Sequence, residues 1–148
     1  MNNIELNTEE ANKAIVQRLY NECFNQGKFE LVDQVISAGL VTPGPHPGRG
    51  PEGFKTNAMR LLTGFPDVQF TVQHLIAEND RVIAYWIWEG THRGAFANIP
   101  PTGKKVRQEG MVMYRFVEGK VVEAKAIFDR LNVFQQLGVP PSAETAKA

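Results

Sequence analysis

The chain has 148 residues, of which 43% are hydrophobic and 22% are charged, and its 16 basic residues balance its 16 acidic ones. This composition is typical of one folded domain and unlike that of a disordered chain. The zero net charge provides no basic field for nucleic acid and no polybasic segment for a membrane surface. We therefore expect a single domain over residues 1–148 whose last part, 139–148, is a loose tail.

The single cysteine, Cys23, excludes an internal disulfide bond, and its position on the apolar side of a predicted helix indicates a buried thiol. The N-terminal segment lacks the basic start and the apolar centre of a signal peptide. No apolar run approaches the ~18 residues that are needed to cross a bilayer. These features predict a soluble cytoplasmic protein that binds neither membrane nor nucleic acid.

Three helices are predicted in the first part of the chain. Apolar residues that recur every four positions predict a helix over 8–26 that ends at Gly27. A second, short helix follows and ends at Gly39, and a third is expected at about 51–63. The segment 43–51 holds four of the nine prolines, so it is expected to be an exposed loop that forms a rim or lid.

Long strands joined by short turns are predicted to follow these helices: Val68–Glu78, Arg81–Arg93, Lys105–Val117 and a strand from about Val121 that leads to Asp129. Alternation places His74 and Ile76 of the first strand on the same face as its apolar residues. The second strand is largely apolar on both faces, which predicts a central strand that is covered on both sides. A further loop is expected at 95–103.

Helices followed by a meander of antiparallel strands indicate the α+β class. We expect a curved antiparallel sheet that wraps around the three N-terminal helices and leaves an apolar cavity between them. The loops at 43–51 and 95–103 are placed to form the mouth of that cavity.

Asp129 is the first candidate for chemistry because it stands where an apolar strand ends. Alternation from Val121 puts Glu123, Lys125 and Asp129 on one face, which points either into the concave space or into solvent. A carboxyl group in an apolar cavity has a raised pKa and exchanges protons near neutral pH. The simpler alternative is that Asp129 is the N-cap of a helix over Arg130–Leu137. The two interpretations are compatible, and the pattern leaves both open.

Histidines and tryptophans provide further candidates. His92 ends a central strand and shares a face with Trp86 and Trp88, so it is placed to bond a ligand carbonyl or to relay a proton. The alternative is a histidine whose bonds go to the backbone at a loop junction. His46 lies in the proline-rich rim and is expected to be solvated, whereas His74 is expected in the core or at an interface.

Lys125 must pair with an acid or reach water, and a salt bridge with Glu123 is the expected solution, with a reactive lysine as the alternative. The three histidines lack the spacing of a metal site, so no bound metal is expected. There is also no nucleotide-binding glycine motif and no nucleophile elbow. The remaining alternatives are cofactor-free acid/base chemistry on an apolar molecule, or binding of such a molecule.

Three motifs together resemble the SnoaL-like polyketide cyclases, a family of the nuclear-transport-factor-2-like superfamily. The first is Gly50-Pro-Glu-Gly-Phe54, which opens a helix. The second is Gly90-Thr-His-Arg-Gly94 followed by Ile99-Pro-Pro-Thr-Gly103. The third is Arg115-Phe-Val-Glu-Gly-Lys120, then Asp129, then Gln135-Gln-Leu-Gly138. The resemblance extends from about residue 8 to residue 139.

The resemblance implies a curved sheet on three helices, a deep apolar pocket and a homodimer. It also implies cyclisation by intramolecular aldol condensation without a cofactor, with an aspartate at the end of the last strand as the acid/base. Asp129 falls on that aspartate, whereas a histidine that the family carries on the preceding strand falls on Val112. Isomerisation is a related possibility, since the same fold hosts several reactions.

These inferences define the candidate site. Asp129 and His92 are the catalytic candidates, and the ligand is expected to be a hydrophobic carbonyl compound. The candidates for binding it are Trp86, Trp88, Lys125, Tyr20 and His46.

Overall fold

The structure, a computed structural model, describes residues 3–43 and 46–139, with side chains described from Thr8 onward. The predicted tail therefore lies outside the described residues from 140 onward. Three helices come first: α1 (Asn3–Arg18), which continues without a break as a π-helical segment (Leu19–Phe24), α2 (Glu30–Val35) and α3 (Gly50–Gly64). The predicted first helix thus begins five residues earlier than expected, and its last turns are wider than an α-helix.

Four strands then form one antiparallel sheet in the order β1-β2-β3-β4: β1 (Gln69–Glu78), β2 (Arg81–Thr91), β3 (Lys105–Val117) and β4 (Lys120–Phe128). Positive φ angles at Asn79, Glu118 and Gly119 form the tight turns of the two short hairpins. A last helix, α4 (Arg130–Leu137), ends at Gly138 in the left-handed conformation. The predicted α+β fold is confirmed.

The core lies between the helices and the inner face of the sheet. Its buried members come from every helix and from alternate positions of the strands, including Val16, Leu19, Val32, Val82 and Phe116. The end of α2 is fastened to the sheet because Ile36 forms a parallel bridge with Val121. In the described part of the chain no helix is long and apolar enough to span a membrane.

The proline-rich rim is tied to the start of α3. The Thr42 hydroxyl accepts hydrogen bonds from Gly48 N–H (2.7 Å) and from Asn57 Nδ2 (2.8 Å), and it donates to the Gly48 carbonyl. A Cβ on Gly53 would lie 2.4 Å from the Gly48 carbonyl carbon, so only glycine allows this close approach. The rim is therefore held in place on the helix that lines one side of the cavity.

Two predictions about the faces of the sheet were wrong. A bulge between Val72 and His74 shifts the register of β1, so His74 and Ile76 point to the outer face and His74 is not a core histidine. The second strand is central, but its outer face is not covered within this chain, because Ile83 is 37% exposed. Apolar residues on both faces identified a central strand without showing what covers each face.

Candidate functional site

A cavity of about 250 Å³ lies between the inner face of the sheet, the π-helical segment, α3 and the rim. Its wall is largely apolar and rich in aromatic side chains, with Tyr20, Phe24, Phe54, Phe70, Trp86 and Phe128 among its members. A cavity of this kind, apolar with a few polar groups, is the usual form of a small-molecule site, although its volume is slightly below the ~300–1,000 Å³ of typical ligand pockets.

One row across three strands shapes the wall. Trp86 on β2 is paired with Gly110 on β3, which is paired with Phe128 on β4. A Cβ on Gly110 would lie 2.7 Å from Trp86 Cη2 and 2.8 Å from Phe128 Cβ. The missing side chain therefore lets the Trp86 indole lie over β3 beside Gly110, with the Phe128 Cβ on the other side of the same residue.

Gln108 connects three parts of the wall. Its Oε1 accepts a hydrogen bond from Trp88 Nε1 at 2.8 Å, and its Nε2 donates to the Asp129 carbonyl at 3.2 Å. Because both ends of the amide are bonded, Gln108 fixes the Trp88 ring and the start of α4 relative to β3. This makes it a structural support of the pocket wall.

Tyr20 and Tyr114 provide a second polar feature. Their hydroxyl groups lie 2.6 Å apart although the residues are 94 positions apart in the chain, and both side chains are buried. Burial is the main cause that raises the pKa of each phenol above its ordinary value of about 10. Both phenols are therefore protonated at neutral pH.

The charged side chains that line the cavity are cationic. Arg60 and Arg130 contribute guanidinium groups, and burial lowers the pKa of Arg130. His46 lies half-buried at the mouth. Among the lining residues that the structure describes there is no aspartate or glutamate. The wall therefore presents donors and positive charge, which suit a ligand that carries oxygen acceptors.

Asp129 lies beside the pocket and not in its wall. Its neighbours Phe128 and Arg130 line the cavity, but the Asp129 side chain is exposed and accepts a hydrogen bond from Asn132 N–H at 3.0 Å. Asp129 is thus the N-cap of α4, as the simpler interpretation predicted. Its acid/base role stays a prediction.

His92 is fully buried but does not belong to the described cavity wall. Its Nδ1 lies 2.9 Å from the Thr102 hydroxyl and accepts from Thr102 N–H at 3.2 Å, while the ring packs on Phe65. Burial outweighs the influence of the Ile99 and Gly94 carbonyl groups and lowers the pKa of His92 below its ordinary value of about 6.5. Its visible role is to hold the loop between β2 and β3.

Lys125 requires a correction as a binding residue. On β4 the side chains of Ala124, Ala126 and Phe128 face the cavity, so the intervening Lys125 points away from it. Its ammonium is 3.4 Å from the Glu123 carboxylate and 70% of its side chain is exposed. The salt bridge expected for it is confirmed.

Four of the proposed binding residues do come together in the cavity wall: Tyr20, His46, Trp86 and Trp88. Sequence reasoning missed Tyr114 and Gln108. Both lie on the inner face of β3, and the alternation Gln108, Gly110, Val112, Tyr114 was a usable signal for them. Across the described residues, no three His, Cys, Asp or Glu side chains come together as a metal site would require.

Comparisons with known proteins agree with the fold. Residues 14–137 match the family described as SnoaL-like polyketide cyclase. The aklanonic acid methyl ester cyclase DnrD of Streptomyces peucetius is 30% identical over 131 residues, which cover 85% of this chain and 90% of the relative. The nogalonic acid methyl ester cyclase of Streptomyces nogalater is 28% identical over 128 residues, which cover 79% of this chain and 90% of that protein.

Among solved structures, a protein assigned as a polyketide cyclase from Acidithiobacillus ferrooxidans superposes with a TM-score of 0.77 at 30% identity. The match covers 86% of this chain and 94% of that one. An α+β protein with an aromatic pocket is thus the class that the structure defines. The chain belongs to the SnoaL-like polyketide cyclase family.

The buried His92 predicts a pH dependence of stability. Because its pKa is lower in the folded state than in the unfolded state, the unfolded chain binds more protons below about pH 6.5, and stability falls as the pH drops through this range. We expect denaturant titrations at pH 7.5 and pH 5 to show a smaller acid-induced loss for His92→Gln than for the wild type. The control His74→Gln, on the exposed outer face, should keep the wild-type loss. An equal loss in His92→Gln and wild type would contradict this assignment.

Proposed function

We propose that the protein binds a hydrophobic carbonyl compound in the cavity between the sheet and the helices. The observation that carries this proposal is the lining: an aromatic wall, two guanidinium groups and no described carboxylate. Apolar rings would pack on the wall, and ligand oxygens would meet donors instead of repelling anions.

The relatives support a narrower ligand class. DnrD and the Streptomyces nogalater protein are named as cyclases of aklanonic acid methyl ester and nogalonic acid methyl ester. A methyl ester contributes a carbonyl oxygen without a negative charge, which suits a wall that is largely apolar. We therefore propose a methyl ester of this kind as the natural ligand class.

Filling the cavity tests the binding site. Ala126 faces the cavity, so Ala126→Leu should occupy part of the ligand volume. We expect calorimetry with 9-fluorenone, a planar hydrophobic ketone, to show binding to the wild type and at least about tenfold weaker binding to this variant, a loss of ~1.4 kcal/mol. The control Lys125→Ala, next to it but on the outer face, should bind within about twofold of the wild type. Equal effects of the two substitutions would place the ligand elsewhere.

A second candidate function is turnover of the bound compound by acid/base chemistry at Asp129, without a cofactor. Asp129 is flanked by two lining residues, and its carbonyl is bonded to Gln108 of the wall. For this role the start of α4 would have to move so that the carboxylate faces the cavity. There it would remove a proton next to a ligand carbonyl and return it after an aldol-type ring closure or an isomerisation.

The substitution Asp129→Asn separates this role from helix capping. Asparagine is as good an N-cap as aspartate, so the stability should change little, whereas a lost base should lower turnover by about 10²-fold or more. The assay would follow aklanonic and nogalonic acid methyl esters by chromatography. Asp129→Ala should in addition lose about 1 kcal/mol of stability through the lost cap. Full turnover by Asp129→Asn would end the acid/base proposal.

We also propose that the outer face of the sheet binds a second copy of the chain. Two cross-strand rows place exposed apolar side chains side by side, Ile76 beside Ile83 and Met111 beside Ile127. Ile127 is 82% exposed, which is unusual for a large aliphatic residue on a sheet. Charges of both signs lie on the same strands, with Arg115 3.1 Å from Glu123, so a rotated copy of this face would not meet charges of one sign only.

Light scattering tests this dimer. We expect the wild type to have twice the mass of one chain and Ile127→Glu to have the mass of one chain. The substitution would bury two carboxylates, one from each copy, against the exposed apolar rows of the two sheets. Leu131→Glu is the matched control, since Leu131 is 50% exposed but lies on α4. A monomeric wild type, or dissociation by Leu131→Glu alone, would overturn the proposal.

A further inference from the structure

The hydroxyl groups of Tyr20 and Tyr114 have two protons, but the hydrogen bond between them needs only one. Both side chains line the cavity and each is at most 4% exposed. The two hydroxyl groups have two protons between them, but the single 2.6 Å hydrogen bond that joins them uses one. Within the described residues neither hydroxyl makes another hydrogen bond. One O–H group at this point of the wall therefore has no acceptor.

Trp86 decides which hydroxyl carries the surplus proton. Its indole N–H is buried and has no acceptor at ordinary hydrogen-bond geometry among the described residues. It approaches Tyr20 closely enough to favour the ionised form of that phenol, an effect that it does not have on Tyr114. This donor favours the arrangement in which the Tyr20 proton points to the Tyr114 oxygen and the Tyr20 lone pairs stay turned to the indole N–H, although no hydrogen bond joins the two at ordinary geometry. This order leaves the proton of Tyr114 directed at the cavity.

The surroundings of Tyr114 do not provide an acceptor for this proton. Its neighbours on the inner face are apolar: Val112 on the same strand, Val82 opposite on β2 and Ala124 opposite on β4. The buried Cys23 thiol also acts on Tyr114, but within the described residues it makes no hydrogen bond to the Tyr114 hydroxyl. A buried donor without an acceptor is costly to keep, and in native structures such a donor has an explanation. A ligand oxygen that enters the cavity would satisfy it.

We propose that the Tyr114 hydroxyl donates a hydrogen bond to a carbonyl oxygen of the ligand, while Tyr20 and Trp86 fix its orientation. This inference rests on the proposed binding function. It identifies the Tyr114 hydroxyl as the group that holds the ligand carbonyl, which we call the anchor. Tyr114 is then the residue that selects a carbonyl compound over a hydrocarbon of the same shape. If the bound ligand enolises, the oxygen gains negative charge and the hydrogen bond to Tyr114 strengthens.

Two matched probes test the anchor. 9-Fluorenone and fluorene have the same three-ring skeleton and differ in one carbonyl group. The dissociation constants of both compounds are measured for the wild type and for each variant. Their ratio is the affinity for the ketone relative to the hydrocarbon. When this ratio is compared between proteins, the difference in hydrophobicity of the two compounds cancels. We expect Tyr114→Phe to lower this ratio about three- to tenfold, the contribution of one hydrogen bond. Tyr85→Phe, which removes a hydroxyl bonded to Glu109 on the outer face, should leave the ratio unchanged.

Tyr20→Phe tests whether Tyr20 donates its proton to Tyr114 and leaves the Tyr114 proton for the ligand. It retains the Tyr114 donor, so its ratio should fall by less than that of Tyr114→Phe, and an equal or larger fall would contradict the assignment. An unchanged ratio in Tyr114→Phe would remove the anchor and leave pocket binding intact. If the wild type binds neither compound, the proposed binding function fails and the anchor fails with it.

Infrared spectroscopy provides a measurement that needs no variant. A ketone that accepts a hydrogen bond has a lower carbonyl stretching frequency than the free ketone in an apolar solvent. We expect fluorenone bound to the wild-type protein to show this lower frequency relative to fluorenone in cyclohexane. A bound ketone with the cyclohexane frequency would overturn the proposal.

Discussion

The absence of a side chain at Gly110, between Trp86 and Phe128, is the constraint on which the pocket depends. Three strands are in register at this row, and the middle residue has no side chain, so the Trp86 indole and the Phe128 Cβ both lie next to the space that a Cβ on residue 110 would occupy. Any Cβ at position 110 would collide with both aromatic residues. The position of the Trp86 indole in the wall therefore depends on this one glycine.

The polar groups of the cavity are organised by the same inner face of β3. Gln108 holds Trp88 and the start of α4, Gly110 admits Trp86, and Tyr114 bonds Tyr20. Between them Val112 faces the cavity, at the position where the resemblance places a histidine in relatives. Together with Ala126 opposite, it makes the centre of the wall apolar. The geometry therefore favours binding through donors, and turnover would require Asp129 to move.

Much of the fold could be predicted from the sequence because its signals are local. Proline and glycine marked the rim, the turns Asn79-Asp80 and Glu118-Gly119 marked two hairpins, and alternation marked the long strands. The bulge after Val72 could not be predicted, because nothing in the sequence of the strand marks it. One residue without a pairing partner is nevertheless enough to reverse the faces on which His74 and Ile76 lie. The outer face of β2 was misjudged because apolar residues on a strand do not show whether its outer face is covered within the same chain.

The candidate site was harder to predict than the fold. Alternation on β4 correctly separated Ala124, Ala126 and Phe128 from Glu123 and Lys125, but it left open which set faced the cavity. Tyr20 and Tyr114 are 94 residues apart, so no local pattern could have paired them. Asp129 looked like a catalytic group and also like a cap, and both interpretations use the same position at the end of a strand.

A crystal structure of the protein with 9-fluorenone would test the central claim most directly. The account predicts that the rings lie in the cavity against Trp86 and Phe70 and that the ketone oxygen lies within hydrogen-bond distance of the Tyr114 hydroxyl. A ligand bound outside the cavity, or one whose oxygen points to the mouth near His46 while Tyr114 stays without an acceptor, would contradict it.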